Sequence, residues 1–520
     1  MMAIVRYGLA LVALLAVGGS ALGQSTLPRK SLQSLLESRY GILSNSVTNL
    51  ASRGDSLWVG PFLNLTTDGG TSWQVADADS LAGSPNRVFS IDIEQDVIWV
   101  GLGFVDNSSG DGVQSAAGFL FSEDGGESFR YRSTQLDDPG DTTIVYGVST
   151  LSALDVIVPQ QSPPFDVDYD PVNGDVWVAG WASGLRRTSD NGATWQRVVL
   201  PPDTMDFIHP DSLYDFRVEP QRGTTGWLNH MAFSVLVDET GTVWAGTPAG
   251  VNRSLDGGLS WTRFDADGSA DRLTGSWVIS IEEQEIPGRN PIWMATWNAG
   301  EAGEAGRFGI TVTRDGGQTF EQSLIGERVY DFAFLDGAVY AASDNGLFIS
   351  EDDGFTWESV SYFTDQADPG LTLRPDVRVF SVATTRESLW AGTSDGLVRT
   401  RNGGESWRVF RVNVPVRPDE PSSTVPQVET FAYPNPFSPS ADRFVRIKYE
   451  LEQTSTVNLK VYDFGMHQIR SVGLGVQQAG LRELNWDGLD QDGVRIANGP
   501  YFYVIEAGGQ SFWGKILIIE

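Results

Sequence analysis

Ser254-Leu255-Asp256-Gly257-Gly258-Leu259-Ser260-Trp261 is one of seven copies of an eight-residue pattern, and its recurrence decides the fold. The other copies run Thr66 to Trp73, Ser122 to Phe129, Thr188 to Trp195, Thr313 to Phe320, Ser350 to Trp357 and Thr400 to Trp407. Each opens on a hydroxyl residue and closes on Trp or Phe. The third position holds Asp68, Asp124, Asp190, Asp256, Asp315 or Asp352, and Asn402 in the last copy. Short Asp and Ser side chains accept backbone N–H groups across a turn. Glycine supplies the positive φ that a tight hairpin needs. The pattern therefore reads as a structural staple, since seven equivalent catalytic aspartates would be redundant.

A second signature precedes each copy. It reads Leu57-Trp58-Val59-Gly60, Ile98-Trp99-Val100-Gly101, Val176-Trp177-Val178-Ala179 and Val243-Trp244-Ala245-Gly246. It returns as Ile292-Trp293-Met294-Ala295, Val339-Tyr340-Ala341-Ala342 and Leu389-Trp390-Ala391-Gly392. In the last repeat, strand a covers Val379 to Ala383, strand b Leu389 to Thr393, strand c Gly396 to Thr400 and strand d Ser406 to Val412. Four short antiparallel strands joined by turns make one blade. Seven in-phase copies across residues 41–414 predict an all-β chain: a seven-bladed β-propeller, then a small Ig-like β-sandwich. Residues 415–429 read as a linker. The sandwich takes residues 430–520, with strands expected at Val445 to Glu450, Val457 to Tyr462, Leu481 to Trp486, Tyr501 to Glu506 and Ser511 to Ile519.

Composition bounds the function. The 520 residues carry 67 acids against 36 bases, for a net charge of -31. Such a surface repels phosphate backbones and anionic lipid, so nucleic acid is not an expected partner. Cysteine is absent, which removes disulfides, thiolate metal sites and cysteine nucleophiles. Residues 1–23 read as a cleaved secretory signal: Arg6, the apolar run Leu9 to Val17, then Ala21-Leu22-Gly23. Residues 24–40 lead into the first blade. The expectation is a secreted or cell-surface protein with no membrane span after cleavage, no cofactor and no metal.

The turn pattern resembles the Asp box of the BNR and sialidase-type propellers. The stretch Gly41 to Val47 before Leu57-Trp58-Val59-Gly60 is similar to the two-component-regulator propeller repeat. Residues 430–520 resemble the FlgD-type Ig-like domain that serves as a type IX sorting module. The carriers are Tyr433-Pro434-Asn435-Pro436-Phe437, Val461-Tyr462-Asp463, Asn485-Trp486-Asp487-Gly488, Gly499-Pro500-Tyr501-Phe502-Tyr503 and Lys515-Ile516-Leu517-Ile518. The resemblance implies an export machinery as partner. Glu520 departs from the basic ending of many such signals.

Chemistry-bearing groups are sparse. Asp487, Asp490 and Asp492 lack the spacing of an EF-hand loop and read as a polar turn. Phe216-Arg217-Val218-Glu219-Pro220 is faintly similar to the sialidase arginine motif, but three turn motifs already lie upstream of it. Loops on a rigid scaffold usually carry binding. The long insertions are Leu102 to Ala117, Arg130 to Pro164, Arg197 to His230 and Asn298 to Arg307. By strand alternation all four open opposite the turn motifs. The ligand-binding candidates there are Phe104, Asp106, Asn107, Tyr131, Tyr146, Tyr214, Arg217, Trp227, His230, Trp297 and Arg307. The expected activity is binding of a glycan or a protein. The alternatives are a secreted glycoside hydrolase, sialidase-like or other, and an assembly scaffold.

Overall fold

The computed structural model describes residues 36–39, 41–76, 86–108, 112–297, 307–369, 371–374, 377–411, 430–433, 435–439 and 444–519. The signal at 1–23, the linker at 415–429 and all of the 298–307 insertion except Arg307 lie outside the described residues. Two compact units emerge: Met1–Tyr362 with Pro375–Arg411, and Phe363–Arg374 with Val412–Glu520. The connection Phe363–Arg374, expected inside the propeller, therefore groups with the C-terminal unit.

The first unit is a seven-bladed propeller. Seven antiparallel sheets follow one another, each with strands a, b, c and d in sequence order. The inner strands a are Leu50–Arg53, Arg87–Glu94, Pro164–Tyr169, Ser234–Val237, Trp277–Glu283, Val329–Leu335 and Val379–Thr385. Each touches the inner strand of the next blade, and the seventh touches the first, so the ring closes. Among the described residues, closure uses no shared strand. Instead, the Val47 N–H donates to the Thr393 carbonyl at 2.9 Å, and Ser52 Oγ donates to the Thr384 carbonyl at 2.7 Å.

Strands b are buried along their whole length in Val176–Gly180, Val243–Thr247 and Ser388–Thr393. A strand covered on both faces by neighbouring blades needs apolar or small residues at every position, which is why the signature is a continuous run. Its Trp meets the closing aromatic of the next blade's turn motif. The pairs Trp58–Phe129, Trp99–Trp195, Trp177–Trp261, Trp293–Trp357 and Trp390–Trp73 are edge-to-face at 5.9–6.5 Å. The last pair seals blade 7 to blade 1.

The turn motif forms the same hydrogen bonds in the six blades that carry aspartate. In blade 4, Ser254 Oγ donates to Asp256 Oδ1 at 2.8 Å and accepts the Gly258 N–H at 2.8 Å. Asp256 accepts the Ser260 N–H on Oδ1 at 2.8 Å and the Ser260 hydroxyl on Oδ2 at 2.6 Å. In the last copy Asn402 accepts the Ser406 N–H with its oxygen and donates from Nδ2 to Ser406 Oγ at 3.0 Å, so the amide serves as well. Partial burial opposes ionisation of Asp68, Asp124, Asp190, Asp256 and Asp315. The hydroxyl and N–H donors outweigh it and hold these carboxyls below their ordinary range. For Asp352, the Thr356 donors dominate in the same direction.

An arginine staple that the sequence reading missed joins successive blades. Arg132 Nε donates to the Asn191 carbonyl at 2.7 Å, Arg187 Nη1 to Gly257 at 3.0 Å and Arg314 Nη2 to Asp353 at 2.7 Å. Arg253 and Arg399 reach Gly316 and Gly69 in the same way. Every acceptor is the fourth residue of the next blade's motif. Arg187, Arg314 and Arg399 also lie over Trp177, Trp293 and Trp390.

Three insertions differ from expectation. Leu102 to Ala117 is mostly strand, because Val97–Asp106 and Val113–Ser122 continue their pairing outward. Arg130 to Pro164 contains a hairpin, Thr143–Tyr146 with Ser149–Ser152. Arg197 to His230 sends Phe207–Ile208 to pair with Trp261 and Thr262 on the outer edge of blade 4. The lead-in likewise contributes Leu36–Arg39 to the outer edge of blade 1.

The C-terminal unit is a two-sheet sandwich. Thr430–Tyr433, Val445–Leu451 and Gly480–Trp486 form one sheet. Gln468–Gln477, Ser455–Tyr462, Gly499–Ala507 and Gln510–Ile518 form the other. Thr430–Tyr433 and Gln468–Gln477 were not anticipated. Phe437 is fully buried, and Asn435 acts as a backbone mimic, donating to the Lys515 carbonyl and accepting the Leu517 N–H at 2.9 Å each.

Trp261→Ala is expected to destabilise the propeller by about 3–5 kcal/mol through the cavity between blades 3 and 4. Asp256→Ala should cost about 1–3 kcal/mol through orphaned turn N–H groups. Gly258→Ala should also destabilise, since its φ is +86° and a Cβ would stand 2.6 Å from Trp177. Thermal and denaturant unfolding of the three variants checks the order.

Candidate functional site: the mouth of the propeller axis

An inner strand is an edge strand, and its free N–H and C=O groups face the axis with no further strand to pair them. Side chains of the preceding blade meet that need. Asp92 accepts the Tyr169 N–H at 2.8 Å, and Asp166 accepts that of Val235 at 2.9 Å. Asp168 accepts from Val237 at 3.1 Å and Asp331 from Val382 at 2.9 Å. Ser90 and Ser234 donate to the carbonyls of Pro164 and Val278.

These acids stand close together around the axis. Burial raises the carboxyls of Asp92, Asp166 and Asp331 to about 7 against the pull of their N–H donors. Burial followed by mutual repulsion lifts Asp168 and Glu282 well above the ordinary range. All five keep partial surface exposure. Their desolvation thus comes from protein surrounding a narrow axis, more than from direct coverage.

Above the acids sits a set of aromatic rings. Pairing of strand a with strand b slips by one residue at Phe89, Phe165, Ile279, Tyr330 and Phe380, which marks a β-bulge in five blades. A bulge increases local twist and re-aims the extra side chain. Phe233 precedes strand a of blade 4 at the equivalent place. Phe165, Phe233 and Trp277 join Trp181, the residue after strand b of blade 3. Phe233 lies 5.1 Å from Trp181, 5.6 Å from Trp277 and 6.4 Å from Phe165. A second arc joins Trp297 to Tyr330 at 5.3 Å and Tyr330 to Phe380 at 5.8 Å. All seven rings are half-exposed. They lie at the b–c and d–a end of the blades, opposite the turn motifs.

Of the residues selected from sequence, Trp297 alone joins this collar, with its indole N–H donating to the Val329 carbonyl at 2.8 Å. Tyr146 and His230 are corrections, for both are buried, Tyr146 in the cluster that packs the two d–a insertions against blades 3 and 4 and His230 against Phe216 of that cluster. The Tyr146 hydroxyl donates to the Leu259 carbonyl at 2.8 Å. His230 Nδ1 accepts the Glu219 N–H at 3.0 Å, and Nε2 sits 2.9 Å from the Leu200 carbonyl. Burial lowers His230 to about 4, so the ring is neutral. Tyr214 packs at the edge of that cluster, accepting the His209 N–H.

Arg217 is exposed and paired with Glu219 at 2.9 Å, and its carbonyl accepts the Trp227 indole N–H at 3.0 Å. Tyr131 donates to the Ala117 carbonyl at 3.0 Å and Arg307 to that of Gly268 at 3.1 Å. Asp106 accepts from Gln160 at 3.0 Å in the extended blade 2 hairpin, which also carries Phe104 and Asn107. These groups do not converge on one point. A cavity of about 470 Å³ between blades 5 and 6 opens instead beside the turn motifs, where Arg314, Glu321 and Asp353 already pair or hydrogen-bond. No cluster of His, Asp and Glu with metal-binding geometry occurs among the described residues.

Four of the seven collar rings were legible in a pattern that went unread. An apolar residue, an aromatic and then Ser or Asp recurs as Val88-Phe89-Ser90, Pro164-Phe165-Asp166, Ala232-Phe233-Ser234, Val329-Tyr330-Asp331 and Val379-Phe380-Ser381. It lies inside the repeats, where attention to insertions passes over it.

A pH dependence follows. An acid whose pKa rises on folding keeps its proton natively where the unfolded chain has lost it. The stability it contributes is full below about pH 4 and is lost as pH rises through about 7. Melting temperature should therefore gain a downward slope between pH 4 and 7. Asp331→Asn, which keeps an acceptor for the Val382 N–H, should make that slope shallower. The turn-motif aspartates act in the opposite sense, losing their contribution only as pH falls below 4. An unchanged slope in Asp331→Asn would contradict the assignment.

Comparison with known proteins places one part of the chain. No curated protein matches it. Among solved structures it is similar to PorZ, an essential bacterial surface component of the type-IX secretion system of Porphyromonas gingivalis, at 13% identity and TM-score 0.36, covering 91% of this chain and 75% of that one. It is similar to YCF48 from Cyanidioschyzon merolae at 14% identity and TM-score 0.37, covering 76% and 94%. It is also similar to an ancestral GH74 enzyme at 16% identity and TM-score 0.45, covering 91% and 63%. Likeness at this level assigns no activity. No described helix is long and apolar enough to cross a membrane. Residues 440–511 match the FlgD Ig-like domain, and that is the family of the C-terminal sandwich.

Proposed function

We propose that this chain is an exported binding protein of the cell surface, an Asp-box propeller that holds its ligand at the axial mouth. The observation that carries this reading is the collar. Seven half-exposed aromatic rings gather at one end of a rigid scaffold, where water-facing apolar surface is otherwise costly. Exposed Trp, Tyr and Arg dominate interface energetics, and aromatic faces also stack on sugars. The repeated turn geometry supports membership among the Asp-box propellers and gives those aspartates a structural task. The leader-like residues 1–23 and the FlgD-type domain support export, with that domain as a type IX sorting module.

A glycosidase would need two carboxyls flanking a sugar-sized cleft. Four of the five axial acids, Asp92, Asp166, Asp168 and Asp331, instead each hold an inner-strand N–H of the next blade, which favours binding over hydrolysis.

Glycan-array and peptide-array screening of the purified chain tests the reading. Once a ligand is found, Trp277→Ala and Trp297→Ala should each cost about 2 kcal/mol or more of affinity, and Trp227→Ala should leave it unchanged. Loss confined to variants on the turn-motif side would show that the mouth is not the site. For export, deleting residues 428–520 should leave a folded propeller retained in the periplasm of a type IX-competent host. Normal surface delivery would refute the sorting role.

A further inference from the structure

The mouth has two unlike halves. Over blades 5 to 7, Arg328 lies 5.8 Å from the Trp297 ring and 4.3 Å from that of Phe308, and both Arg328 and Arg378 face Asp344. That arc carries the chain's own cations. Elsewhere in the propeller the same device recurs, with arginines over Phe121, Trp177, Phe264, Trp293 and Trp390. The platform of Phe165, Trp181, Phe233 and Trp277 differs. Among the described residues no guanidinium lies over any of its four rings.

From the platform inward, the axis is acidic. Asp166 follows Phe165 directly, and its carboxyl reaches the N–H of Val235, two residues beyond Phe233. Asp168 continues the same strand and bonds to Val237. Glu282, on the strand that begins with Trp277, adds a third carboxyl that feels the other two across the axis. The chain as a whole carries a net charge of -31.

We infer that the Phe165–Trp181–Phe233–Trp277 platform docks an arginine-bearing segment of a partner protein, whose guanidinium stacks on the rings and turns its N–H groups toward the acids around Asp166. A planar guanidinium is weakly hydrated, stacks on aromatic faces and pairs with carboxylates in a fork, so it suits both surfaces at once. Charge complementarity selects this occupant over an acidic one. The inference rests on the axial-mouth reading above and adds the chemical class of the ligand.

The test uses the purified chain and three probes: acetyl-(Gly-Arg)4-amide, the same peptide with citrulline for arginine, and cellohexaose. Calorimetric titration at a pH well above 7, where Asp166 is ionised, should show binding of the arginine peptide, at least tenfold weaker binding of the citrulline peptide and no binding of the sugar. Trp277→Ala and Trp181→Ala should each weaken the arginine peptide about tenfold at unchanged melting temperature. Trp181→Phe, which keeps an aromatic face, should recover most of the loss. Asp166→Asn, which keeps an acceptor for Val235, should weaken the arginine peptide and leave the citrulline peptide unchanged. The exposed pair Asp211→Asn and Asp215→Asn controls for attraction to the acidic surface at large and should have no effect.

Equal loss in that control pair and in the platform variants would overturn the inference. Binding of cellohexaose that depends on Trp277, without binding of the arginine peptide, would overturn the ligand class and leave the mouth standing as the site. If neither arginine peptide nor sugar binds, the arginine docking is refuted, and the mouth itself is judged by the array ligand and Trp297→Ala.

Discussion

A blade of four short strands exposes two faces, and neither is stable in water alone. The contact between successive blades is therefore the interaction on which everything else depends. Here it is built from one repeated unit: a strand-b indole, the edge of the next blade's closing aromatic, a glycine that lets the turn sit on the ring, and an arginine that ties ring to turn. Trp177, Trp261, Gly258 and Arg187 show all four parts. The Asp256 network serves this contact by fixing the turn that presents Trp261. Its carboxylate is spent inside the hairpin, on the Ser260 N–H and hydroxyl.

Closing seven blades into a ring creates a second problem at the axis. Seven inner edges meet there with unpaired backbone groups. Aspartate and serine side chains reach from one blade to the next and satisfy them. Crowding carboxyls around a narrow axis raises their proton affinity, so the edge solution brings a pH dependence with it. The bulges that twist five of the inner strands also turn out a bulky residue, aromatic in four of them, at the upper end. Staple, bulge and collar are thus consequences of one geometric requirement. The half of the collar left without an arginine of its own is where a partner's charge would be most welcome.

The two long d–a insertions show how chain length misleads. On sequence they offered Tyr146, Tyr214, Trp227 and His230 as exposed anchors. In the fold they pack on each other and on the flank of blades 3 and 4, where Ile208 extends the blade 4 sheet and His230 bonds at both ring nitrogens. An insertion with its own apolar residues buries them on the nearest unpaired surface, and a propeller offers its outer edges. Leu36–Arg39 uses the edge of blade 1 in the same way.

The amino-acid sequence by itself determined the repeat, the blade count and the strand order. Each of these follows from local periodicity and turn chemistry, which act over a few residues. It also contained the triplet that marks the collar, such as Val329-Tyr330-Asp331, though its meaning depends on a bulge that spacing alone does not reveal. Only the tertiary structure decided which aromatics face water, which arginines are already committed and which acids gather at the axis. Those outcomes depend on residues from different blades, such as Trp181 and Trp277, that meet only when the ring has closed.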